Sequence, residues 1–230
     1  MTESKPTIGV LRETALHAAL KEHFANPGDQ LEASVGRYIV DIVKPDELIE
    51  IQTGSFSQIR RKLDVLLKTH QVTLVYPVPA QKWILRLDEN ENRVSRRKSP
   101  RKGQVADVFY ELVRMPHTAC EPNFRLLVML INEEVWMQKG EHGSWRRKGW
   151  EIRDRILLDI TGQQLFEDPQ DYLGILPAEL GDEFTNADLA QALHCRSSLA
   201  GKITYTMRKM GLLDVMGKQG RANRFKIQRG

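Results

Sequence analysis

The segment YIVDIVKPDELIEIQTG, residues 38–54, decides the fold. Two runs rich in isoleucine and valine flank the sequence KPDE, and this pattern predicts two antiparallel strands joined by a short turn. A four-residue turn would place Asp41 directly opposite Glu50. Each strand therefore carries an acid in its middle, among residues that favour burial.

Side chains alternate along a strand, so the predicted hairpin has two different faces. The two carboxylates would share one face and lie roughly 5 Å apart, and like charges at that distance destabilise a hairpin. The first face would carry Ile39, Asp41, Val43, Leu48, Glu50 and Gln52, and the second would be entirely apolar, with Val40, Ile42, Ile49 and Ile51.

A cation between the two carboxylates would remove this repulsion, and a divalent metal suits carboxylate oxygens. Two alternatives stay open. Each acid could pair with a nearby base such as Arg37, or the register could slip by one residue and expose both acids. Such a slip would bury Lys44 and spoil the apolar face.

Composition is compatible with a folded protein that works inside the cell. A chain of 230 residues with 41% hydrophobic content can form one large domain or two small ones. The start, MTESKPTIGVLRE, lacks an apolar signal core, and no apolar run approaches the roughly 20 residues that span a bilayer. Cys120 and Cys195 lie far apart, without the spacing of a zinc site or a disulfide framework. We expect a cytoplasmic protein that does not associate with membranes.

The charge is distributed unevenly, which matters more than the net charge of +4. Residues 91–103, ENRVSRRKSPRKG, contain six basic residues and one acid, and residues 183–230 contain nine basic residues and three acids. This excess at the C-terminal end predicts a polyanionic partner such as DNA. The alternative is a solvated surface that keeps the protein soluble.

The order of predicted elements indicates a mixed α/β core. A helical pattern from Ile8 to Phe24 precedes a strand and the hairpin, and a second amphipathic helix follows the hairpin. The run VTLVYPVP is typical of a strand buried on both faces. The predicted elements after the first helix are strands at 30–35, 38–43 and 48–52, a helix at 56–68, and strands at 72–79 and 82–88.

This αβββαβ order, with an acid on the second strand and Glu-x-Gln on the third, resembles the PD-(D/E)XK nuclease superfamily, which has the restriction-endonuclease-like fold. The resemblance covers residues 8 to about 88. It implies that Asp41 and Glu50 bind Mg²⁺ or Mn²⁺ and that Gln52 takes the place of the lysine that orients the attacking water. It also implies that an acid on the first helix completes the metal site. Glu13 is the preferred candidate, with Glu22 and Glu32 as alternatives.

The chain departs from the family pattern in two places. No proline precedes Asp41, and Gln52 cannot supply the positive charge of a lysine, although its amide can hold a water molecule. The resemblance then implies that the metals alone lower the pKa of the water. Three basic residues could assist or could only position phosphate: Arg60, Arg61 and Lys82.

The C-terminal residues 184–227 resemble a winged helix, in which two helices precede a basic β-hairpin. The resemblance implies that the second helix enters the major groove of DNA and that the hairpin contacts the backbone. The alternative is a winged helix that contacts protein. The implied DNA-binding residues are Arg196, Ser198, Lys202, Tyr205 and Lys209 on the helix, and Lys218, Arg221 and Arg224 on the hairpin.

The sequence therefore predicts three regions: a nuclease-like core at 1–95, a basic linker with an α+β extension at 96–182, and a winged helix at 183–230. Within the extension, GSWRRKGW interleaves tryptophans with Arg146 and Arg147. That mixture predicts a loop that stacks on bases or grips phosphate, or alternatively a β-turn whose tryptophans pack on the core.

Together these patterns favour a metal-dependent DNA endonuclease that acts on double-stranded DNA, and cleavage of both strands would suit a homodimer. The whole chain also resembles bacterial proteins that combine a nuclease-like core with a C-terminal winged helix. Two other classes stay open. The loss of lysine at position 52 favours a DNA-binding regulator built on a decayed nuclease core, and a protein-interaction adaptor would have no affinity for DNA at low salt.

Overall fold

The computed structural model describes residues 14–140 and 149–228. The helices are α1 (Ala15–Phe24), α2 (Phe56–Leu66), α3 (Phe109–Leu112), α4 (Asn186–Ala192) and α5 (Ser197–Lys209). The strands are β1 (Gln30–Val35), β2 (Tyr38–Val43), β3 (Leu48–Ile51), β4 (Val72–Leu87), β5 (Arg93–Lys98), β6 (Phe124–Lys139), β7 (Trp150–Phe166), β8 (Glu183–Thr185), β9 (Leu213–Gln219) and β10 (Ala222–Ile227). None of the helices in the described ranges combines the length and the apolarity that crossing a bilayer requires.

A seven-stranded mixed sheet forms the centre of the molecule, which confirms the α/β class. Its order is β1-β2-β3-β4-β6-β7, with β4 parallel to both β3 and β6. The long strand β4 pairs with β3 along its first residues and with β5 along its last residues, so the sheet extends well beyond the hairpin. The sequence predicted two strands in place of β4, and this prediction is wrong.

The basic segment after residue 95 is not only a linker. Its first residues complete β5, which pairs antiparallel with β4. The sheet therefore continues across the predicted boundary at residue 95, and the prediction of a linker is wrong for residues 96–98. Beyond these residues, the extension contains the two long strands β6 and β7.

The hairpin has the predicted register, with Ile42 opposite Ile49. Its predicted division into faces is wrong for Val40, which packs in the cluster around α2, whereas Ile42 packs in the cluster around α1. The change occurs at Asp41. The residue opposite Asp41 on β1 is Glu32, whose φ of 49° lies in the left-handed region and interrupts the regular alternation.

Both faces of the central sheet are covered. On one face, α1 buries Leu16 and Leu20 against a cluster that includes Val75. On the other face, α2 and α3 pack on a larger cluster that includes Leu74. Successive residues of β4 thus enter opposite cores, as the near-continuous apolar run of that strand predicts.

The C-terminal residues form the predicted pair of helices followed by a hairpin. Strand β10 lies between β8 and β9 in a second, three-stranded sheet. Buried side chains of this region, including Ile203 and Phe225, belong to the same hydrophobic cluster as Leu74 and Phe109 of the central sheet and α3. The C-terminal region therefore packs directly against the rest of the chain.

Gly103 fixes the segment that follows β5 against β4. Its backbone N–H donates to the Pro79 carbonyl oxygen at 3.0 Å. A Cβ atom at position 103 would lie 2.4 Å from that oxygen, which is backbone and cannot move aside easily. Only glycine fits this close approach.

Replacing Gly103 by alanine should destabilise the protein. We expect Gly103→Ala to lower the free energy of unfolding by about 1 to 3 kcal/mol, because the added methyl group must displace backbone. Urea denaturation followed by circular dichroism measures the change. Gly162→Ala is the matched control, since a Cβ there would meet nothing closer than 3.8 Å. Equal stability of the two variants would contradict the proposed close contact.

Candidate functional site

Asp41 and Glu50 lie next to each other where the pairing of β2 with β3 ends. The regular backbone pairing of the two strands covers Ile42 with Ile49 and Val43 with Leu48. Beyond it, the Asp41 carboxylate accepts a hydrogen bond from the backbone N–H of Ile51 at 2.8 Å. A side-chain oxygen thus takes the place of a backbone acceptor.

Glu50 is almost completely buried, with 3% of its surface exposed. Its carboxylate forms an ion pair with the ammonium group of Lys62 on α2, which also donates to the Ile39 carbonyl oxygen. The pKa of Glu50 is raised to about 7, chiefly because the group is buried; Lys62 opposes the shift and the charge of Asp41 adds to it. Glu50 therefore exchanges its proton near neutral pH.

Asp41 behaves in the opposite way. Its carboxylate Oδ2 lies 3.3 Å from Nε2 of His17 on α1. Burial tends to raise the pKa of Asp41, but the hydrogen bonds with His17 and with the Ile51 N–H outweigh burial, and the pKa lies below its usual value. The pair thus combines an ionised acid with an acid that titrates near neutrality.

The sequence left open two alternatives to a metal between the acids, a register slip by one residue and pairing of each acid with a nearby base. The observed register excludes the slip by one residue. Each acid does have a basic neighbour, but this neighbour is not Arg37, whose guanidinium group donates to the Tyr38 hydroxyl at 3.0 Å. The actual neighbours, Lys62 and His17, come from the two helices that cover the sheet.

Sequence reasoning missed Lys62 as a member of the site, although a signal was present. Lys62 follows Ile59 by three residues and precedes Leu66 by four, so helical spacing places it beside the buried stripe of α2. The basic residues that the sequence suggested on this helix, Arg60 and Arg61, are exposed.

Gln52 follows Glu50 by two residues, and its amide has partners in the chain. Its Nε2 donates to the Ser55 carbonyl oxygen at 2.9 Å and lies 3.5 Å from Oε1 of Gln58. These contacts bind the loop between β3 and α2. In this arrangement Gln52 shapes that loop.

The acids proposed to complete a metal site do not join Asp41 and Glu50 in the described residues. Glu13 lies outside the described ranges. Glu32 forms an ion pair with Lys21, and Glu22 is exposed. Within residues 14–140 and 149–228, no three His, Cys, Asp or Glu side chains converge as a metal site would require. Mg²⁺ or Mn²⁺ binding stays a prediction.

A second buried carboxylate lies close to this site and was missed by the sequence analysis. Glu133 on β6 is fully buried and pairs with Lys82 at 2.9 Å and with Arg155 at 2.7 Å. Arg155 also donates to the carbonyl oxygen of Thr53, the residue after Gln52, at 3.1 Å. The alternation of Glu133 with buried neighbours two positions away in β6 was the available signal.

Most residues predicted to bind DNA through the C-terminal region lie at its surface. Exposed members are Arg196, Ser198, Tyr205, Lys209, Lys218, Arg221 and Arg224, whereas Lys202 is half-buried. Arg224 forms an ion pair with Glu183 at 3.3 Å. Tyr205 and Lys209 border a cleft of about 240 Å³ that Arg60 of α2 also lines. Arg146 and Arg147 lie outside the described residues.

Residues 14–167 match a family described as a domain of unknown function, DUF8091. The chain belongs to the DUF8091 family. An uncharacterized protein of Treponema pallidum (strain Nichols) is 32% identical over 224 residues, which covers 96% of this chain and 87% of the relative. No solved structure matches the chain. Asp41, Glu50, Lys62 and Glu133 all lie within the matched DUF8091 range.

The pKa of Glu50 makes the stability of this DUF8091 protein depend on pH. A pKa of about 7 in place of 4.5 means that the folded protein binds this proton more tightly than the unfolded chain. The resulting stabilisation is complete below pH 4.5 and is lost as the pH rises towards 7. We expect the free energy of unfolding of the wild type, relative to Glu50→Gln, to fall by roughly 2 to 3 kcal/mol between pH 4.5 and 8.

Urea denaturation at pH values from 4.5 to 8 tests this expectation. The exposed substitution Glu89→Gln is the control and should follow the wild type at every pH. Parallel stability profiles of wild type and Glu50→Gln would show that Glu50 has an ordinary pKa and would contradict the opposite pKa shifts of Asp41 and Glu50.

Proposed function

We propose that the protein is a metal-dependent DNA endonuclease that hydrolyses phosphodiester bonds. The observation that carries this proposal is the pair of neighbouring carboxylates, Asp41 and Glu50, with opposite pKa shifts and with Lys62 beside them. Acids whose pKa values are separated by burial and neighbours are typical of hydrolytic sites.

The donor set at the pair fits Mg²⁺ or Mn²⁺. Both ions prefer carboxylate oxygens, and the charge of Asp41 raises the pKa of Glu50, so a second cation near the two groups would be favourable. Asp41 and Glu50 would hold the ion, with Glu13 as the proposed third ligand. A bound ion of this kind lowers the pKa of a coordinated water molecule.

Lys62 is proposed to supply the positive charge that Gln52 lacks. Its ammonium group reaches Glu50 from α2, whereas the Gln52 amide is bonded within the loop that precedes that helix. From this position Lys62 would stabilise the negative charge that develops on a phosphate during cleavage. The site would thus contain two acids, Asp41 and Glu50, and one basic residue, Lys62, which lies on α2.

The architecture supports the same proposal. A helix on each face of a mixed sheet, with α2 connecting the parallel neighbours β3 and β4, agrees with the proposed PD-(D/E)XK-like core. Two helices and an exposed basic hairpin agree with the proposed winged helix. We propose that it contacts double-stranded DNA through Arg196, Ser198 and the hairpin. A homodimer would allow both strands of a duplex to be cut.

A second candidate function is a DNA-binding regulator with a decayed nuclease core. The observation that favours it is that the two side chains expected to act on the attacking water, Lys62 and Gln52, already have partners within the protein. Lys62 is paired with Glu50, and the Gln52 amide is bonded to Ser55 and close to Gln58. A core of this kind could keep its fold and its DNA affinity without cutting.

Plasmid cleavage distinguishes the two functions. We expect the purified protein to nick supercoiled plasmid with Mg²⁺ or Mn²⁺ and not with EDTA. Asp41→Asn should lower the rate by about 100-fold or more, because a metal ligand contributes several kcal/mol to the transition state. Asp41→Asn should bind duplex DNA like the wild type.

The control for this experiment is Asp64→Asn, which removes an exposed acid from α2, two residues from Lys62. It should cut at the wild-type rate. Tight DNA binding without cutting under any metal condition would favour the regulator. Normal cutting by Asp41→Asn would show that the assigned pair is not the site.

The proposed role of Lys62 can be tested by moving its charge. Lys62→Gln should lower the nicking rate about 10-fold to 100-fold, because one charge that stabilises the transition state is lost. The double variant Lys62→Gln with Gln52→Lys should recover part of the rate, since a lysine then stands at the third position of the motif. Thermal denaturation checks that both variants fold. If the double variant keeps the wild-type melting temperature but recovers none of the nicking rate, the positive charge cannot be supplied from position 52. The proposed role of Lys62 as a replacement for the motif lysine would then be contradicted.

A further inference from the structure

A groove runs over the part of the sheet that extends beyond the hairpin. The last residues of β4 pair with β5 on one side and with β6 on the other, and β7 follows β6. On one face these strands enclose a cleft of about 700 Å³, which we call the strand groove. Its floor is apolar, with Ile84, Val135 and Met137 among its lining residues.

The register explains why one face collects a defined set of side chains. Along β4 and β6, Lys82 pairs with Glu133 and Ile84 pairs with Val135. Ile84 also pairs with Arg97 on β5. Because residues two apart point to the same face, the basic residues of these strands surround the apolar floor.

The strand groove carries an excess of positive charge. Its basic lining residues are Lys82, Arg86, Arg97 and Arg155. The buried carboxylate of Glu133 pairs with Lys82 and Arg155 and fixes their positions. Among the described residues, Arg86 and Arg97 form no ion pair, so two of the four cations have no compensating carboxylate. Charge of this density favours an anionic ligand.

Aromatic rings lie among these cations. The Arg86 guanidinium carbon lies 4.6 Å from the ring centroid of Trp150, and Tyr76 lines the groove nearer the hairpin. The buried Nε of Arg86 has no hydrogen-bond partner among the described residues. Flat rings with neighbouring cations suit nucleic-acid bases that are linked by phosphates.

One end of the strand groove opens beside the carboxylate pair. Thr53, which lines the groove, follows Gln52 directly, and Arg155 donates to the Thr53 carbonyl oxygen. From Tyr76 to Arg86 the groove follows ten positions of β4, which is roughly 30 Å of strand. A polymer lying along it would pass from Trp150 towards Asp41 and Glu50.

We propose that the strand groove binds a single strand of nucleic acid, with phosphates on its four cations and a base stacked at Trp150. The inference rests on the proposed nuclease function, because the groove would guide a substrate strand to the carboxylate pair. It adds a binding surface separate from the winged helix. A separated or branched strand is therefore the substrate class that the groove favours.

Binding of a fluorescein-labelled oligothymidine of 12 nucleotides to the full chain in EDTA tests the inference, with fluorescence anisotropy as the readout. Arg97→Gln should raise Kd about 3-fold to 10-fold at 0.1 M salt, and Arg86→Gln with Arg97→Gln should lower the salt slope by about one. Trp150→Ala should raise Kd about 10-fold and leave the salt slope unchanged.

Lys98→Gln is the matched control for Arg97→Gln. Lys98 is the next residue of β5, on the opposite face of the sheet, where its ammonium group lies 5.3 Å from the ring centroid of Trp83. Lys98→Gln should leave Kd unchanged. Equal increases in Kd for Arg97→Gln and Lys98→Gln would show that only the net charge of the protein matters and would contradict binding in the strand groove.

Competition and cleavage separate the remaining outcomes. Polyglutamate of similar length should compete poorly with oligothymidine. Equal competition, or normal oligothymidine binding by Trp150→Ala, would contradict base stacking and favour an acidic peptide as the ligand.

If plasmid is never cut but Arg97→Gln weakens oligothymidine binding, the strand groove is supported and the nuclease function is contradicted. If the metal-dependent cutting is present and Arg86→Gln with Arg97→Gln binds and cuts like the wild type, the groove fails alone.

Discussion

The hydrogen bond from the Ile51 N–H to the Asp41 carboxylate holds the hairpin together where its backbone pairing stops. The regular alternation of side chains between the two faces already breaks at this point, because Glu32, opposite Asp41 on the neighbouring strand β1, adopts a positive φ. A side chain must therefore satisfy a backbone donor that would otherwise lie buried without a partner. This requirement keeps the Asp41 carboxylate within the sheet, and Glu50 beside it becomes a buried acid with a like-charged neighbour.

The cost of that arrangement is offset from both sides of the sheet. Lys62 approaches Glu50 from α2, and His17 approaches Asp41 from α1. Neither helix could deliver its side chain unless its apolar stripe packed correctly on its own face of the sheet. The geometry of the site thus depends on both cores, and a change in the packing of either helix would leave one acid with a less favourable environment.

Local patterns predicted much of this fold, since alternation and turn length set the register of the hairpin and helical spacing located α2 and α5. The sequence could not reveal contacts between distant elements, such as Lys62 with Glu50 or Arg155 with Glu133. Strand β5 was missed for another reason. Every residue of Arg93–Lys98 is exposed, so no apolar alternation marks it, and the strand forms because β4 offers an edge for backbone pairing.

The two buried glutamates create neighbouring regions of opposite charge. Around Glu133 two cations compensate one acid, and Arg86 and Arg97 add to the surplus. Around Glu50 the balance is reversed, because the ionised Asp41 competes for the cation that Lys62 provides. A phosphate would be attracted to the first region and repelled by the second until a further cation arrived there. If the protein is a nuclease, the cations around Glu133 can hold a phosphate without a metal, whereas Asp41 and Glu50 can accept one only once a further cation has bound beside them.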